Sequence, residues 1–130
     1  MPDSGFVILV ADDERVIRHI VSLTLTHAGY RVLVAADGAE ALNISRAYDG
    51  TIQLLLMDME MPNLDSGTLA EIIAKERPGI RIIAMTGNSS GTVPPKLMPF
   101  LLLKPFLPDA LLKRIRRELE RDLPPHQANS

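Results

Sequence analysis

Short apolar runs alternate with segments of helical periodicity along most of this sequence. The runs are rich in Val, Ile and Leu and mostly lack period-two alternation; they cover residues 6–11, 31–35, 52–57, 80–85 and 100–103. Continuous apolar runs of this kind are typical of strands that are covered on both faces. Strands that alternate with helices are parallel and are joined by right-handed crossovers. The predicted fold class is therefore α/β, with an open five-stranded parallel sheet and helices on both faces.

Apolar residues at helical spacing mark the helices between these strands. The first helical segment covers residues 14–29, ends at Gly29 and carries an apolar face of Ile17, Ile20, Val21, Thr24 and Ala28. The second follows Asp37, and the third precedes Pro78. The last covers residues 108–123 and carries Leu111, Leu112, Ile115 and Leu119. Residues 87–100 include two glycines and three prolines, so the helix expected between the fourth and fifth strands is predicted to be shortened or absent.

The composition narrows the class of protein. At 130 residues the chain has the length of one domain, predicted over residues 1–123, with a disordered tail over residues 124–130. There is no cysteine, which excludes disulfides and zinc-thiolate sites. No apolar segment approaches the roughly 20 residues that span a bilayer, and a net charge of -2 argues against a nucleic-acid-binding surface. We expect a soluble cytoplasmic protein whose partners are neither membranes nor nucleic acids.

Polar side chains follow four of the five predicted strands. Asp12, Asp13 and Glu14 come after the first strand, Asp58 after the third, Thr86 after the fourth and Lys104 after the fifth. In an open α/β sheet, ligands bind beyond the carboxyl ends of the strands. We therefore expect these polar residues to converge at one edge of the sheet.

The predicted cluster of carboxylates needs a counter-charge. Three carboxylates within about 5 Å of one another repel by roughly 3 kcal/mol per pair at an effective dielectric constant of about 20. Oxygen ligands without histidine or cysteine favour Mg²⁺ or Mn²⁺. A carboxylate beside such an ion can also attack a phosphoryl group, and Lys104 and the Thr86 hydroxyl are suited to contact the phosphoryl oxygens.

The motifs VADDE, MDMEMP, MTG and LKPF, in this order, carry a family resemblance. They resemble the receiver domain of two-component response regulators over residues 6–121. The resemblance implies a flavodoxin-like sheet and a phosphorylation-dependent signalling switch whose phosphorylation alters the binding of a downstream protein. Such a domain catalyses its own phosphoryl transfer and the hydrolysis of its aspartyl phosphate, but it is chiefly a signalling module.

The same resemblance implies roles for individual residues. Asp58 would accept the phosphoryl group from a histidine kinase or a histidine phosphotransfer protein, and Thr86 and Lys104 would contact that group. The implied Mg²⁺ site is formed by Asp12, Asp13, Asp58 and the backbone carbonyl of Glu60.

Some features depart from the common receiver pattern. Leu101 stands where typical receivers carry Tyr or Phe, and its neighbour Phe100 is predicted to face the other side of the strand. Thr86 and Lys104 are also closer in sequence than is usual. The longer spacing in MPNLDSG, together with FLLLKPFLPDALL, is similar to the branch of receivers often fused to hybrid histidine kinases.

Each candidate residue also has a purely structural interpretation. The acidic residues 12–14 can cap a helix, Lys104 can be a solvated loop residue, and Thr86 can belong to a turn. The alternative functions are a constitutive docking module with a vestigial pocket and a phosphate sink in a phosphorelay. The presence of the acidic, hydroxyl and ammonium groups favours the switch, whereas Leu101 and the altered helical region between the fourth and fifth strands keep the docking module open.

Overall fold

The structure, a computed structural model, describes residues 5–87 and 100–120. Within these residues the elements are β1 (Val7–Ala11), α1 (Arg15–His27), β2 (Arg31–Ala35), α2 (Gly38–Ala47), β3 (Leu54–Asp58), α3 (Ser66–Glu76), β4 (Arg81–Thr86), β5 (Leu101–Leu103) and α4 (Pro108–Glu120). The strands form one parallel sheet in the order β2-β1-β3-β4-β5. The predicted fold class, a flavodoxin-like five-stranded parallel sheet, is confirmed.

The apolar runs form strands because both faces of the sheet are covered by helices. Alternate residues of β1 enter two separate cores, so that Leu9 packs on the side of α2 and α3 whereas Ile8 packs on the side of α1 and α4. All five residues of β3 are buried in the same way. Asp58 is the last residue of β3, so this central strand ends in a buried carboxylate at the carboxyl edge of the sheet.

Helix α1 begins and ends where the sequence indicates, but its buried face is rotated from the predicted one. Val21 and Leu25 are fully buried, whereas Ile20, predicted to face the core, is 47% exposed. The reason is that α1 packs against both the sheet and α4, so its contact line follows these neighbours. Gly29 ends the helix as predicted, in the left-handed conformation at φ 101°.

The start of α2 holds the loop that follows Asp58. The Asp37 side chain caps α2 by accepting a hydrogen bond from the Glu40 amide (2.8 Å), and the Asn63 side-chain amide donates to the other Asp37 oxygen (2.9 Å). A Cβ added to Gly38 would lie 2.9 Å from the Leu64 Cβ, closer than real contacts allow. Only glycine therefore lets the β3–α3 loop approach α2 this closely.

Arg77 holds the opposite edge of the sheet together. Its guanidinium donates to the Ser45 hydroxyl (2.9 Å) and to the carbonyls of Ser45 (2.7 Å), Tyr48 (2.8 Å) and Gly50 (2.9 Å). Three of these acceptors are carbonyls at or beyond the end of α2, which the helix itself leaves without partners. The residue that follows α3 thus closes the end of α2.

Two predictions fall on residues that lie outside the described ranges. The shortened or absent helix between the fourth and fifth strands concerns residues 87–99, of which only Gly87 is described, and the tail at 124–130 is likewise outside them. The last helix is described up to Glu120. In residues 5–87 and 100–120, no helix has the length and apolar character that crossing a membrane requires.

Candidate functional site

Three carboxylates meet at the carboxyl edge of the sheet. Asp12 follows β1, Asp58 ends the neighbouring strand β3, and Glu14 lies at the N-terminus of α1. One oxygen of each lies within 4.8 Å of the other two. Asp12 and Asp58 are buried, whereas the Glu14 side chain is 61% exposed. The buried carboxylates of Asp12 and Asp58 therefore share one pocket, and the exposed Glu14 carboxylate lies on its solvent side.

Lys104 reaches into the centre of this group from the segment after β5. Its ammonium nitrogen lies 3.1 Å from Asp12 Oδ2, 3.3 Å from Glu14 Oε1 and 3.3 Å from Asp58 Oδ2. Only 13% of the Lys104 side chain is exposed. One ammonium thus partly neutralises three carboxylates, and it is held in place because its own amide donates to the Thr86 carbonyl (2.8 Å).

The Asp58 carboxylate has different partners on its two oxygens. Oδ1 accepts from the Glu60 amide (3.0 Å), and Oδ2 accepts from the Lys104 ammonium. Burial, and then the charge of Asp12, raise the pKa of Asp58 to about 6, against the opposing effects of the Glu60 amide and Lys104. Asp58 is therefore a carboxylate with raised basicity, as nucleophilic and acid–base sites require.

The pKa of Lys104 moves in the opposite sense to what burial alone would cause. Burial disfavours its charge, but the hydrogen bond to Asp12 and the charges of Asp58 and Asp12 outweigh burial and raise the pKa of the ammonium above its ordinary value. Lys104 is therefore a fixed positive charge at neutral pH.

Thr86 lies beside this network at the end of β4. The residue is buried, and it pairs with Leu103 in the ladder between β4 and β5, one residue before Lys104. The loop after β3 is tied to the same strand, because the Met59 amide donates to the Met85 carbonyl (2.8 Å). The ends of β3, β4 and β5 are thus joined by backbone hydrogen bonds around the carboxylates.

The family model of the response regulator receiver domain matches residues 8–116. The chain belongs to this family. A curated relative, the probable transcriptional regulator ycf27 of Porphyridium aerugineum, is 38% identical over 117 residues, which are 88% of this chain and 48% of that protein. The receiver domain described here thus spans about half the length of this relative.

Two solved receiver structures share the fold. The receiver domain protein from Methanospirillum hungatei superposes with a TM-score of 0.77 at 28% identity, covering 89% of this chain and 94% of that one. The receiver domain of the hybrid histidine kinase CckA has a TM-score of 0.75 at 32% identity, covering 88% of this chain and 99% of that one. The resemblance to receivers, including those of hybrid histidine kinases, is confirmed.

The receiver pocket brings together some of the predicted residues and leaves others aside. Asp12, Asp58 and Lys104 are in direct contact as expected. Asp13 is exposed and is not part of the group of three carboxylates, whereas Glu14 joins that group. The sequence pattern predicts Glu14 at the carboxyl edge of the sheet, but it assigns this residue no role. Its position directly after the acid pair was the signal for it.

The pocket suits a hard cation. All the side-chain ligands it offers are carboxylate oxygens, the kind of donor that Mg²⁺ prefers, and the structure already places a positive group, the Lys104 ammonium, among them. Glu60 contributes its amide to Asp58 here. The prediction that the Glu60 carbonyl binds the metal stays a prediction. The same holds for the predicted ligand role of Asp13.

Leu101, the departure from the common receiver pattern, is partly buried at the margin of one of the cores. It packs against the cluster on the side of α2 and α3, while the next residue, Leu102, packs on the opposite side with α1 and α4. Leu101 has no ring that could turn toward Thr86.

A groove opens beside the pocket and has a volume of about 380 Å³. Its lining includes Ile17, Ile20, Gly87, Lys104 and Phe106.

Proposed function

We propose that this receiver domain is a phosphorylation-dependent switch of a two-component system, in which Asp58 accepts a phosphoryl group from a phosphohistidine donor. The environment of the Asp58 carboxylate carries the proposal. It is almost completely buried, yet it accepts hydrogen bonds from the Glu60 amide and the Lys104 ammonium and lies beside a second buried carboxylate. Such a crowded anion contributes little to packing, but it supports nucleophilic chemistry at the sheet edge.

In the proposed reaction, a carboxylate oxygen of Asp58 attacks the phosphorus atom of the donor. An oxygen–phosphorus bond forms, the nitrogen–phosphorus bond of phosphohistidine breaks, and the imidazole leaves with the electron pair and takes up a proton from solvent. Lys104 then donates to a phosphoryl oxygen, since its ammonium already lies 3.3 Å from the attacking carboxylate. The Thr86 hydroxyl, at the end of the adjacent strand, is the proposed donor to a second phosphoryl oxygen.

Asp12 and Asp58 are the proposed side-chain ligands of Mg²⁺, with Asp13 and the carbonyl of Glu60 completing the set that the family resemblance implies. Bound Mg²⁺ supplies positive charge that offsets the carboxylates and the phosphoryl oxygens. The donor is then a histidine kinase or a histidine phosphotransfer protein. The output is a changed affinity for a downstream protein, in the cytoplasm, where ATP-dependent kinases act.

A constitutive docking module is the second candidate, and Leu101 is the observation that favours it. Because this partly buried residue packs against the core on the α2 and α3 side and has no ring, a phosphoryl group at Asp58 cannot be read out by an aromatic side chain at this position. The two candidates differ in chemistry, since a docking module with a vestigial pocket does not become phosphorylated. A phosphate sink shares the chemistry of the switch and differs in the partner alone.

Incubation with acetyl phosphate and Mg²⁺, followed by intact mass measurement, tests the proposal. We expect one labile phosphoryl adduct on the wild type and none on Asp58→Asn. Asp49→Asn is the matched control, because Asp49 is an exposed aspartate that lies outside the carboxylate group, and it should be modified like the wild type. An unmodified wild-type mass would instead support the docking module.

A further inference from the structure

Asp12 is held at every one of its polar atoms. Its amide donates to the Ala35 carbonyl (3.1 Å), its Oδ1 accepts from the Glu14 amide (2.8 Å), and its Oδ2 accepts from Lys104 (3.1 Å). The remaining atom, the backbone carbonyl oxygen, accepts from Arg18 Nη1 at 2.7 Å. Among residues 5–87 and 100–120, Arg18 is thus the one side chain that bonds to the main chain of Asp12 rather than to its carboxylate.

Arg18 reaches this carbonyl because of where α1 begins. Glu14 is the N-cap of α1, and the Arg18 amide donates to the Glu14 carbonyl (2.9 Å), which places Arg18 one turn into the helix. Side chains on a helix point back toward its N-terminus. The guanidinium is therefore directed toward the loop that joins β1 to α1, and the partly buried Arg18 spans six residues to meet Asp12.

Arg15 and Arg18 lie in the first turn of α1, at the positive end of the helix dipole, and three acidic residues come directly before this turn. The Glu14 side chain does not cap α1, and the Asp12 carboxylate instead accepts from the Glu14 amide. Arg18 thus directs its guanidinium from the start of the helix into an acidic segment, and its bond there is to a main-chain carbonyl.

The carbonyl that Arg18 holds belongs to the peptide that joins Asp12 to Asp13. The plane of this peptide sets the direction in which the chain leaves Asp12, and therefore where the Cα of Asp13 lies. The Glu14 amide and Lys104 hold the carboxylate of Asp12, whereas the bond from Arg18 acts on this carbonyl and so on the plane of the peptide directly.

We propose that Arg18 is a positioning residue that orients the Asp12–Asp13 peptide and thereby sets the spacing of the two acidic side chains for the cation. The inference rests on the proposed function, because it assigns Arg18 a part in that Mg²⁺ site. Arg18 acts through the main chain of Asp12, and its effect is on the affinity of the site for Mg²⁺.

The test compares Arg18→Met with Arg15→Met. Both variants remove one positive charge from the first turn of α1. Arg15, however, is exposed and takes no part in the hydrogen bonds that fix Asp12. Thermal shift against Mg²⁺ concentration gives the midpoint for binding. We expect Arg18→Met to raise this midpoint about tenfold, the loss that removal of an outer-shell partner typically causes, and Arg15→Met to change it by less than about twofold.

A second readout does not depend on the metal. The nitrogen chemical shift of the Asp13 amide, measured without Mg²⁺, reports on the hydrogen bond to the Asp12 carbonyl and should move in Arg18→Met but not in Arg15→Met. If Arg18→Met fails to fold, Arg18→Lys keeps the charge and the stem but not the reach of the guanidinium, and its Mg²⁺ midpoint should also rise.

The outcomes separate this inference from the proposed function. A wild type that neither binds Mg²⁺ nor accepts a phosphoryl group would contradict the proposed function itself. A responsive wild type with equal midpoint shifts in the two methionine variants, or with an unchanged midpoint in a folded Arg18 variant, would overturn the positioning role alone.

Discussion

The Lys104 ammonium and the Asp58 carboxylate, 46 positions apart in the sequence, lie 3.3 Å from each other at the carboxyl edge of the sheet. The contact exists because β5 and β3 end at the same edge on either side of β4. Among the described residues, Lys104 is the one cation in contact with Asp58, whose carboxylate the proposed reaction uses. The charge balance of the pocket therefore depends on this lysine until a metal ion binds.

Lys104→Met should destabilise the protein when no Mg²⁺ is present. It would leave the buried carboxylates of Asp12 and Asp58 without their ammonium, which costs about 3 kcal/mol of unfolding free energy for a broken buried pair. Mg²⁺ should restore part of this loss by neutralising the same carboxylates. Urea unfolding with and without Mg²⁺ measures both effects. Lys113→Met, at an exposed position of α4, is the control, and equal losses in the two variants would contradict the prediction.

Asp13 and Glu14 should differ in their effect on Mg²⁺ binding. The resemblance makes Asp13 a direct ligand, whereas the exposed Glu14 carboxylate contacts Lys104 in the structure. We expect Asp13→Asn to raise the Mg²⁺ midpoint by about tenfold or more, and Glu14→Gln to raise it by less than about threefold. Thermal shift against Mg²⁺ gives both values. The reverse order would assign the ion to the three carboxylates that meet around Lys104.

Asp37 should make stability depend on pH in the acid range. The hydrogen bond from the Glu40 amide, and then that from the Asn63 side chain, hold the pKa of Asp37 below its ordinary value of 3.8. A group whose pKa is lower in the folded state binds more protons when unfolded. Its stabilising effect is therefore complete above the unfolded pKa and is lost as pH falls through the folded pKa.

The melting temperature of the wild type should accordingly exceed that of Asp37→Asn at about pH 6, and the difference should shrink toward about pH 3. Asparagine can still cap α2 but lacks the second oxygen that accepts from Asn63, so the part of the difference that changes with pH is the part due to the charge. Melting curves at several pH values provide the measurement, and a difference that is constant with pH would contradict it.

Arg77→Met should destabilise the fold at the edge far from the pocket. It would remove the donors from the carbonyls of Tyr48 and Gly50 and from the carbonyl and hydroxyl oxygens of Ser45, and we expect a loss of about 2 to 3 kcal/mol. Arg46→Met, which breaks an exposed ion pair with Glu76, should have a much smaller effect. Urea unfolding distinguishes the two, and phosphorylation at Asp58 should be unaffected in both variants if they are folded.

The order and type of the elements followed from local pattern. The second strand lies at Arg31–Ala35, as the apolar run predicts, and Asp37 caps α2 just before a helical segment. The proximity of Asp12, Asp58 and Lys104 was also predictable, because parallel strands in one sheet bring their carboxyl ends to one edge. These features depend on periodicity and connectivity, which a sequence displays directly.

Other features depended on how the elements pack. Contacts with both the sheet and α4 determine which face of α1 enters the core. Leu25 is therefore buried, and Ile20 is half exposed. The choice between Asp13 and Glu14 at the pocket depends on the path of a short loop into that helix. Arg18 and Arg77 act on backbone carbonyls, and every residue carries a carbonyl. No residue pattern marks which one an arginine will reach, so these contacts are decided by tertiary structure.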